Sequence, residues 1–360
     1  MTREGMAAFA AAQGEPPYRG HQLFSWLYTK GARDFAEMTD LGLEFRQRLA
    51  DSTVIEATTE VAHEISARDG SIKYLLALHD GMRIECVLIP PASAFRGKEA
   101  SGEDEQKRLT LCVSTQVGCP LACAFCATGT MGFHRNLTAG EIVGQLLHVR
   151  RVNGKRITNV VFMGMGEPLL NYEAVTDAAD IMTQGMGIAP RRITVSTAGY
   201  ADRIRRLGDE RRKFNIALSL HSAVDRTREQ LMPINNKFTV SELADALEHY
   251  YLKSRQRVTL EFIFFDGIND SEAEMRSLIA FSRRVPSKIN IIPFHSIGFT
   301  HPTGFAATLR PSPRLEANVA LLRAARLTVM VRSSTGEDIA AACGQLAAQT
   351  GGMTHNGAAS

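Results

Sequence analysis

The chain has 360 residues, of which 44% are hydrophobic, and its formal net charge at pH 7 is +3. This length suits one large domain and a smaller one, whereas the small net charge excludes an argument for nucleic-acid binding from charge alone. The absence of any run of about 18 apolar residues excludes a membrane-spanning helix. Six unevenly spaced cysteines do not form a disulfide framework.

The first part of the chain predicts short helices. Residues 1–14 are small, polar and alanine-rich, lack the apolar core of a signal peptide, and are expected to form a frayed end. The stretches RGHQLFSWLYTKG and DFAEMTDLGLEFRQRLA then carry apolar residues at near-helical spacing. We assign residues 1–53 to a small N-terminal helical accessory domain.

Alternating apolar residues mark the next segment. The stretches VIEATTEVAHEISA, SIKYLLAL and MRIECVLIP are separated by Asp-Gly turn signals and predict an antiparallel sheet that closes onto the main domain. The charged stretch SAFRGKEASGEDEQKR, at 93–108, contains few large apolar residues and predicts a surface loop. Residues 54–108 are therefore a short connecting β segment with a loop.

Strands and helices alternate from Leu109 onward. Amphipathic helical segments separate nearly continuous apolar stretches, which are LTLCVSTQV, ITNVVFMGM, RITVSTAG, FNIALSLH, RVTLEFIFF and KINIIPF, followed by LTVMVRSS. This alternation is typical of an α/β fold with a parallel sheet. We assign residues 109–348 to this domain and residues 349–360 to a flexible tail. Functional residues are expected at the carboxyl ends of the strands.

Three cysteines directly after the first of these strands indicate a metal site. Cys119, Cys123 and Cys126 form a C-x3-C-x2-C pattern, with Phe125 before the last cysteine. Structural zinc takes four ligands, and no fourth cysteine or suitably spaced histidine follows in this loop. An iron–sulfur cubane also takes four ligands, but its fourth iron can be left for a substrate. The trio predicts such an open site, with a structural thiol cluster or a degenerate zinc knuckle as the alternative.

Polar motifs recur at the ends of the next three strands. GMGEP, at 164–168, contains Glu167 between two turn-forming residue types, Ser196 ends the third strand, and Ser219-Leu220-His221 ends the fourth. A single polar residue at a strand end is more often a cap. Their recurrence at successive strand ends predicts a common ligand pocket.

Basic residues are concentrated in three stretches. Such groups can follow a phosphate backbone, or they can form a solvated surface that nearby acidic side chains partly neutralise, and the sequence leaves both open. The basic residues are Arg150, Arg151, Lys155, Arg156, Arg191, Arg192, Arg203, Arg205, Arg206, Arg211, Arg212 and Lys213.

The cysteine spacing resembles the cluster loop of the radical S-adenosylmethionine (SAM) enzymes. A wider set of motifs resembles the RlmN/Cfr family of radical SAM RNA methyltransferases, which modify an adenine of 23S ribosomal RNA. The matching stretches cover most of the chain and include RGHQLFSWLYTKGARDFAEMTDL, IECVLIP, LCVSTQVGCPLACAFCATG, RNLTAGEI, GMGEPLLN, VSTAG, LSLHSAVDRTREQLMPIN, DGIND and DIAAACGQL. The resemblance implies a partial (βα)6 radical SAM barrel, a [4Fe-4S] cluster and SAM. We expect a cytoplasmic monomer without membrane contact, whose accessory domain either docks RNA or only packs.

The resemblance also assigns roles to the residues of the predicted pocket. The implied cluster ligands are Cys119, Cys123 and Cys126, and the implied SAM-binding residues are Gly166, Glu167, Ser196, Ser219, Leu220, His221 and His295. Glu167 corresponds to the carboxylate that holds the SAM amino group. His295 is a departure, because the family pattern has Asn at this position. The departure leaves the substrate and the modified carbon open.

Two cysteines outside the trio carry the chemistry that the resemblance implies. An electron-poor adenine carbon cannot attack SAM by displacement, whereas a thiolate can. In the implied mechanism Cys343 accepts a methyl group from a first SAM, and a second SAM supplies a radical that activates the S-methyl group. Cys112 is the implied resolving thiol, which forms a transient disulfide with Cys343 that an external reductant reopens. Glu85 lies where the family places a proton acceptor.

The sequence therefore predicts a radical SAM RNA methyltransferase. The expected target is carbon 2 of the peptidyl-transfer-centre adenine of 23S ribosomal RNA, with transfer RNA as a further substrate. Two alternatives remain open. One is the same chemistry at carbon 8 or on another RNA, and the other is a non-catalytic iron–sulfur RNA-binding module.

Overall fold

A computed structural model describes residues 1–91 and 108–348. The predicted flexible tail, and the predicted surface loop up to residue 107, lie outside these ranges. The strands are β1 (Thr58–Ile65), β2 (Ile72–Leu78), β3 (Arg83–Ile89), β4 (Thr110–Cys112), β5 (Gln116–Gly118), β6 (Phe133–Asn136), β7 (Asn159–Phe162), β8 (Ile193–Thr197), β9 (Asn215–Ser219), β10 (Val258–Phe262), β11 (Ser287–Ile291) and β12 (Val329–Val331).

Helices connect the strands and cover the sheet. The α-helices are α1 (Arg3–Ala12), α2 (Pro17–Phe24), α3 (Leu43–Ser52), α4 (Ala127–Thr130), α5 (Ala139–Asn153), α6 (Tyr172–Met186), α7 (Ala201–Asp209), α8 (Asp225–Leu231), α9 (Val240–Ser254), α10 (Glu272–Arg284), α11 (Gly304–Thr308) and α12 (Leu315–Ala324). Within the described ranges, none of these helices is both long and apolar enough to cross a bilayer.

One ten-stranded sheet organises the molecule. Its strand order is β1-β2-β3-β4-β7-β8-β9-β10-β11-β12, and β5 and β6 form a separate hairpin. The strands from β4 to β12 in this order run parallel to their neighbours. The three strands of the connecting segment are antiparallel and join the parallel part where Val87 of β3 pairs with Cys112 of β4. The predicted α/β class and its mostly parallel sheet are confirmed.

The N-terminal region is helical from the start. The expectation of a frayed end at residues 1–14 is wrong, because α1 begins after a Thr2 side chain that caps it and buries Met6 and Ala10. The reason is a close helix–helix contact: a Cβ atom on Gly20 of α2 would lie 2.1 Å from the carbonyl oxygen of Met6. Alanine-rich helices have high propensity, and here a partner helix completes their stabilisation.

The segment after β12 crosses the open side of the sheet without forming a strand. Within the described residues, β12 and β1 are not paired with each other and leave that side open. The Ser66 hydroxyl and the Ala67 N–H donate to the Asp338 carboxylate at 2.7 and 3.1 Å. The Lys73 ammonium donates to the Ile339 carbonyl at 2.7 Å. These contacts anchor residues 336–348, which we call the carrier loop because it contains Cys343, to the connecting β segment.

Candidate active site

The cysteine trio lies on a loop between β5 and α4. Backbone hydrogen bonds shape this loop: the Cys119 N–H donates to the Gly132 carbonyl at 2.8 Å, and the Cys126 N–H donates to the Cys123 carbonyl at 3.1 Å. Burial raises the pKa of the Cys119 thiol to about 12 and also raises the pKa values of Cys123 and Cys126. A thiolate ligand at this place therefore needs a positive partner, which a bound metal group supplies.

The trio is not arranged as the ligand set of a single ion. Among residues 1–91 and 108–348, no three side chains of His, Cys, Asp or Glu converge as the ligands of one metal ion do. Each cysteine of a [4Fe-4S] cluster binds a different iron, so these thiols need not converge on one point. The donor set of three thiols is therefore compatible with a cluster that keeps one iron corner open.

Glu167 lies beside the trio at the end of the strand β7. It is 3% exposed, and its carboxylate accepts hydrogen bonds from the backbone N–H groups of Leu169 at 2.9 Å and Ala198 at 2.7 Å. Burial raises the pKa of Glu167 to about 7, against the lowering effect of these two hydrogen bonds. A buried carboxylate held in one orientation is suited to pair with an ammonium group.

The glycines of this motif have a packing role. A Cβ atom on Gly164 would lie 2.7 Å from the Ser114 hydroxyl oxygen, and one on Gly166 would lie 2.5 Å from Cβ of Gln116. Gly166 also has a φ of +99°, which favours glycine. The motif needs glycine because it packs directly against the β4–β5 segment, and the predicted contact of Gly166 with SAM stays a prediction.

The other predicted SAM-binding residues lie on neighbouring strand ends. Ser196 and Ser219 are half-buried on β8 and β9, which pair side by side. Leu220 is fully buried. His221 is also buried, and its Nδ1 accepts a hydrogen bond from the Ile263 N–H at 3.1 Å. Burial, with Arg228 as a second cause, lowers the pKa of His221 to about 3, so the imidazole is neutral.

Arg228 is a residue that the sequence analysis did not single out. Its side chain is fully buried and donates to the carbonyl oxygens of Leu220 at 3.2 Å and Ser219 at 3.3 Å, and to that of Ala198. It also donates to Oδ1 of Asn235 at 3.0 Å. Arg228 therefore ties together the ends of β8 and β9. Only its place in the motif LSLHSAVDRTREQLMPIN could have indicated it.

The carrier loop is hydrogen-bonded to the start of α4, directly after the cysteine trio. The Ala127 N–H donates to the Gly344 carbonyl at 2.7 Å, and the Thr128 hydroxyl donates to the Leu346 carbonyl at 2.7 Å. Ala127 directly follows Cys126, and Gly344 directly follows Cys343. The two cysteines are therefore brought into one region although they are far apart in sequence.

Cys112 and Cys343 line the same cavity of about 40 Å³. Cys112 is buried on β4, whereas Cys343 is exposed on the carrier loop. Burial raises the pKa of Cys112 to about 12, the Cys343 thiol acts in the same direction, and Arg332 lowers it. The remaining lining is largely apolar and includes Val161, Met163 and Ile292. Both cysteines therefore face one cavity, and the disulfide between them stays a prediction.

Glu85 holds the other end of the carrier loop. It is 2% exposed, its Oε2 accepts a hydrogen bond from the Ala347 N–H at 2.9 Å, and its Oε1 lies 3.8 Å from Nζ of Lys73. Burial raises the pKa of Glu85 and Lys73 opposes this shift. A carboxyl group with a raised pKa is a better proton acceptor near neutral pH. Cys86, the next residue, is fully buried in the core.

His295 lines the cavity with Cys112 and Cys343. Its side chain is buried, and Nδ1 lies 3.4 Å from Oε1 of Glu337. The position that holds Asn in the family pattern therefore faces the carrier loop in this chain. Its contact with SAM stays a prediction.

Several of the basic residues are neutralised by neighbours. Arg206 forms ion pairs with Glu173 at 2.6 Å and Glu210 at 2.7 Å, and Arg212 forms an ion pair with Asp180 at 2.7 Å. For these arginines the structure favours the surface interpretation. They are poor candidates for phosphate contacts because their charge is already balanced.

Two family profiles and one crystal structure match this chain. The profile of the Radical SAM superfamily matches residues 113–279, and that of the Ribosomal RNA large subunit methyltransferase N-terminal domain matches residues 1–55. The crystal structure of a radical SAM methyltransferase from Sphaerobacter thermophilus has a TM-score of 0.84 and 39% identity, and the match covers 97% of this chain and 98% of that one. The fold and these matches thus define a radical SAM enzyme.

Two curated relatives show to which family of radical SAM enzymes the chain belongs. The dual-specificity RNA methyltransferase RlmN of Magnetococcus marinus is 43% identical over 352 residues, which are 96% of this chain and 93% of the relative. The probable dual-specificity RNA methyltransferase RlmN of Salinibacter ruber is 41% identical over 355 residues, which are 96% and 92%. The chain belongs to the RlmN family of radical SAM RNA methyltransferases.

Proposed function

We propose that the protein methylates carbon 2 of an adenine in RNA, using Cys343 as the methyl carrier. The proposed targets are the peptidyl-transfer-centre adenine of 23S ribosomal RNA and an adenine of transfer RNA. The names of the curated relatives, which include the words dual-specificity, support two kinds of substrate. The observation that carries the proposal is the cavity shared by Cys112 and Cys343, because RNA binding alone needs neither thiol.

The residues take the following roles in this proposal. The cysteine trio holds the cluster, and Glu167 pairs with the amino group of SAM. When bound, the cluster and a second SAM supply the radical that activates the methyl group on Cys343. Glu85 accepts the ring proton, and Cys112 attacks the sulfur of Cys343, so that a disulfide forms when the product leaves. An external reductant then restores both thiols.

The carrier loop contributes Ala341, Ala342, Cys343 and Leu346 to the lining of the cavity. Cys343 is exposed on this loop. We therefore expect RNA to approach from the solvent side of the carrier loop.

The test is methylation of RNA by the anaerobically reconstituted protein. RNA from cells that lack the gene is treated with the protein, SAM and a reductant, and the methyladenosine isomer is identified after digestion to nucleosides. We expect 2-methyladenosine in ribosomal and transfer RNA. The 8-methyl isomer would overturn the assignment of the carbon, and the absence of both methylated RNA and 5′-deoxyadenosine would indicate a binding module.

Cysteine variants test the mechanism in the same assay. Cys343→Ala is expected to abolish methylation, whereas Cys112→Ala is expected to accumulate a covalent protein–RNA adduct. Cys86→Ala is the matched control, because Cys86 is buried in the core and does not line the cavity. Free methylated RNA at normal yield from Cys112→Ala would overturn the role of the resolving thiol.

A further inference from the structure

Arg332 places a guanidinium group in the cavity of the two cysteines. It directly follows β12, and its backbone N–H donates to the Ile291 carbonyl at 2.9 Å, which fixes the start of the side chain. Its Nη1 lies 3.8 Å from Sγ of Cys343 and 3.9 Å from Sδ of Met163, with hydrogen-bond geometry to both sulfurs. Of the described residues that line this cavity, Arg332 is the one with a permanent positive charge.

A buried carboxylate stands behind this guanidinium group. Oε2 of Glu261 lies 3.9 Å from Nη1 of Arg332 and accepts no hydrogen bond within the described part of the chain. Oε1 of Glu261 accepts a hydrogen bond from Nδ2 of Asn290 at 3.1 Å. Burial raises the pKa of Glu261, and Arg332 opposes this shift.

The Cys343 sulfur meets Arg332 where the exposed carrier loop borders the cavity, and the rest of the cavity lining is mainly apolar. The Cys343 sulfur, in its anionic form, is the largest cause that raises the pKa of Arg332. The same guanidinium group lowers the pKa of Cys112 against the effect of burial.

We infer that Arg332 is the positive partner that holds and orients the Cys343 sulfur in the cavity, and is thus a positioning residue for methyl acceptance. The inference rests on the proposed role of Cys343. In that step the thiolate electron pair forms the S–CH3 bond while the bond between the methyl carbon and the SAM sulfonium breaks, which leaves a neutral thioether and neutral S-adenosylhomocysteine. Arg332 acts by holding the Cys343 sulfur in place beside a positive charge.

The test compares two alkylating reagents of similar size on the full-length reconstituted protein. Iodoacetate is an anion and iodoacetamide is neutral, so the ratio of their rates at Cys343 reports the sign of the nearby charge. The protein is produced under iron limitation, and mass spectrometry first verifies that Cys343 is a free thiol. One unit charge about 4 Å away changes this ratio on the order of fivefold in water. Peptide mapping separates Cys343 from the other cysteines.

Three variants sharpen the comparison. Arg332→Gln is expected to lower the iodoacetate-to-iodoacetamide ratio on the order of fivefold, and Arg332→Lys to retain most of the wild-type ratio. Arg326→Gln, at an exposed arginine outside the cavity, is the control and is expected to leave the ratio unchanged. The rate at which Cys343 gains a methyl group from SAM is expected to follow the same order.

Either of two results would overturn the inference. One is an unchanged ratio in Arg332→Gln, and the other is an equal loss in Arg332→Lys, since a purely structural effect would not depend on charge. The alkylation ratio does not require turnover. A wild-type protein that shows the ratio but yields no methylated RNA would contradict the proposed function and leave the charge pairing intact.

Discussion

The backbone N–H of Ala347 donates a hydrogen bond of 2.9 Å to the Glu85 carboxylate, although the two residues are 262 positions apart. This bond connects the strand that contains the proposed proton acceptor with the loop that contains the proposed methyl carrier. A change at Glu85 therefore affects both the chemistry and the position of Cys343. Variants of this residue must separate the two effects.

Glu85→Gln is expected to reduce the release of methylated RNA about 100-fold, the scale of general-base catalysis. The amide can still accept the hydrogen bond from Ala347, so the thermal unfolding midpoint should stay close to that of the wild type. Glu85→Ala additionally leaves a buried N–H without an acceptor, which costs about 1–3 kcal/mol of unfolding free energy. Single-turnover assays and urea unfolding measure the two effects. Wild-type turnover by Glu85→Gln would rule out the proposed role.

Glu167 is expected to make the stability of the cluster-free protein depend on pH. Its ordinary pKa of 4.5 is raised by burial to about 7 in the folded chain. Below about pH 4.5 the Glu167 carboxyl group is protonated in both the folded and the unfolded chain, and its contribution to stability is fully present. As the pH rises toward 7, the unfolded chain releases this proton first, so the contribution is lost. Relative to Glu167→Gln, the unfolding free energy should fall by on the order of 3 kcal/mol across this window. Urea unfolding at several pH values checks it, and a constant difference would contradict the burial of the carboxyl group.

Gly166→Ala is expected to damage the site more than Gly154→Ala. Both glycines have positive φ, +99° and +69°, but a Cβ atom on Gly166 would collide with Gln116, whereas one on Gly154 would meet nothing within 4 Å. Gly154→Ala should cost about 1 kcal/mol of unfolding free energy from backbone strain alone, and Gly166→Ala clearly more. Thermal unfolding and iron content after reconstitution measure the difference. Equal stability of the two variants would show that the contact with Gln116 relaxes freely.

Arg228→Met is expected to destabilise the fold by about 3–5 kcal/mol, because several buried carbonyl oxygens lose their donor together. Arg226→Met is the control on the same helix, since Arg226 is exposed and should change the unfolding free energy by no more than about 0.5 kcal/mol. Chemical denaturation of both proteins supplies the comparison. A loss below about 1 kcal/mol in Arg228→Met would mean that water replaces the lost donors.

Local patterns predicted the sheet well because strand periodicity and turn residues are local signals. The metal site was also predictable, because its three cysteines lie within eight consecutive residues of the sequence. The helix α1 was not predicted, because its stabilising partner is α2 and the contact depends on Gly20. The packing role of the glycines near Glu167 was not predicted, because it depends on the β4–β5 segment that the fold brings against them.

Arg228 and Arg332 were missed for a different reason. The local pattern around each residue gives no sign of its role, because that role comes from partners that the fold brings near. Arg228 contacts carbonyl groups of two strand ends, and Arg332 meets Cys343 through the return of the carrier loop. Periodicity contains no information about such tertiary contacts.

The carrier loop also bears on how an enzyme of this architecture can acquire new reactions. All ten strands of the main sheet precede Ser333, so the sheet is complete before the segment that contains Cys343, the proposed acceptor thiol. Within the described residues, that segment adds no strand to the sheet. Replacement of residues 336–348 would therefore change the proposed acceptor thiol while the pairing of the strands stays the same.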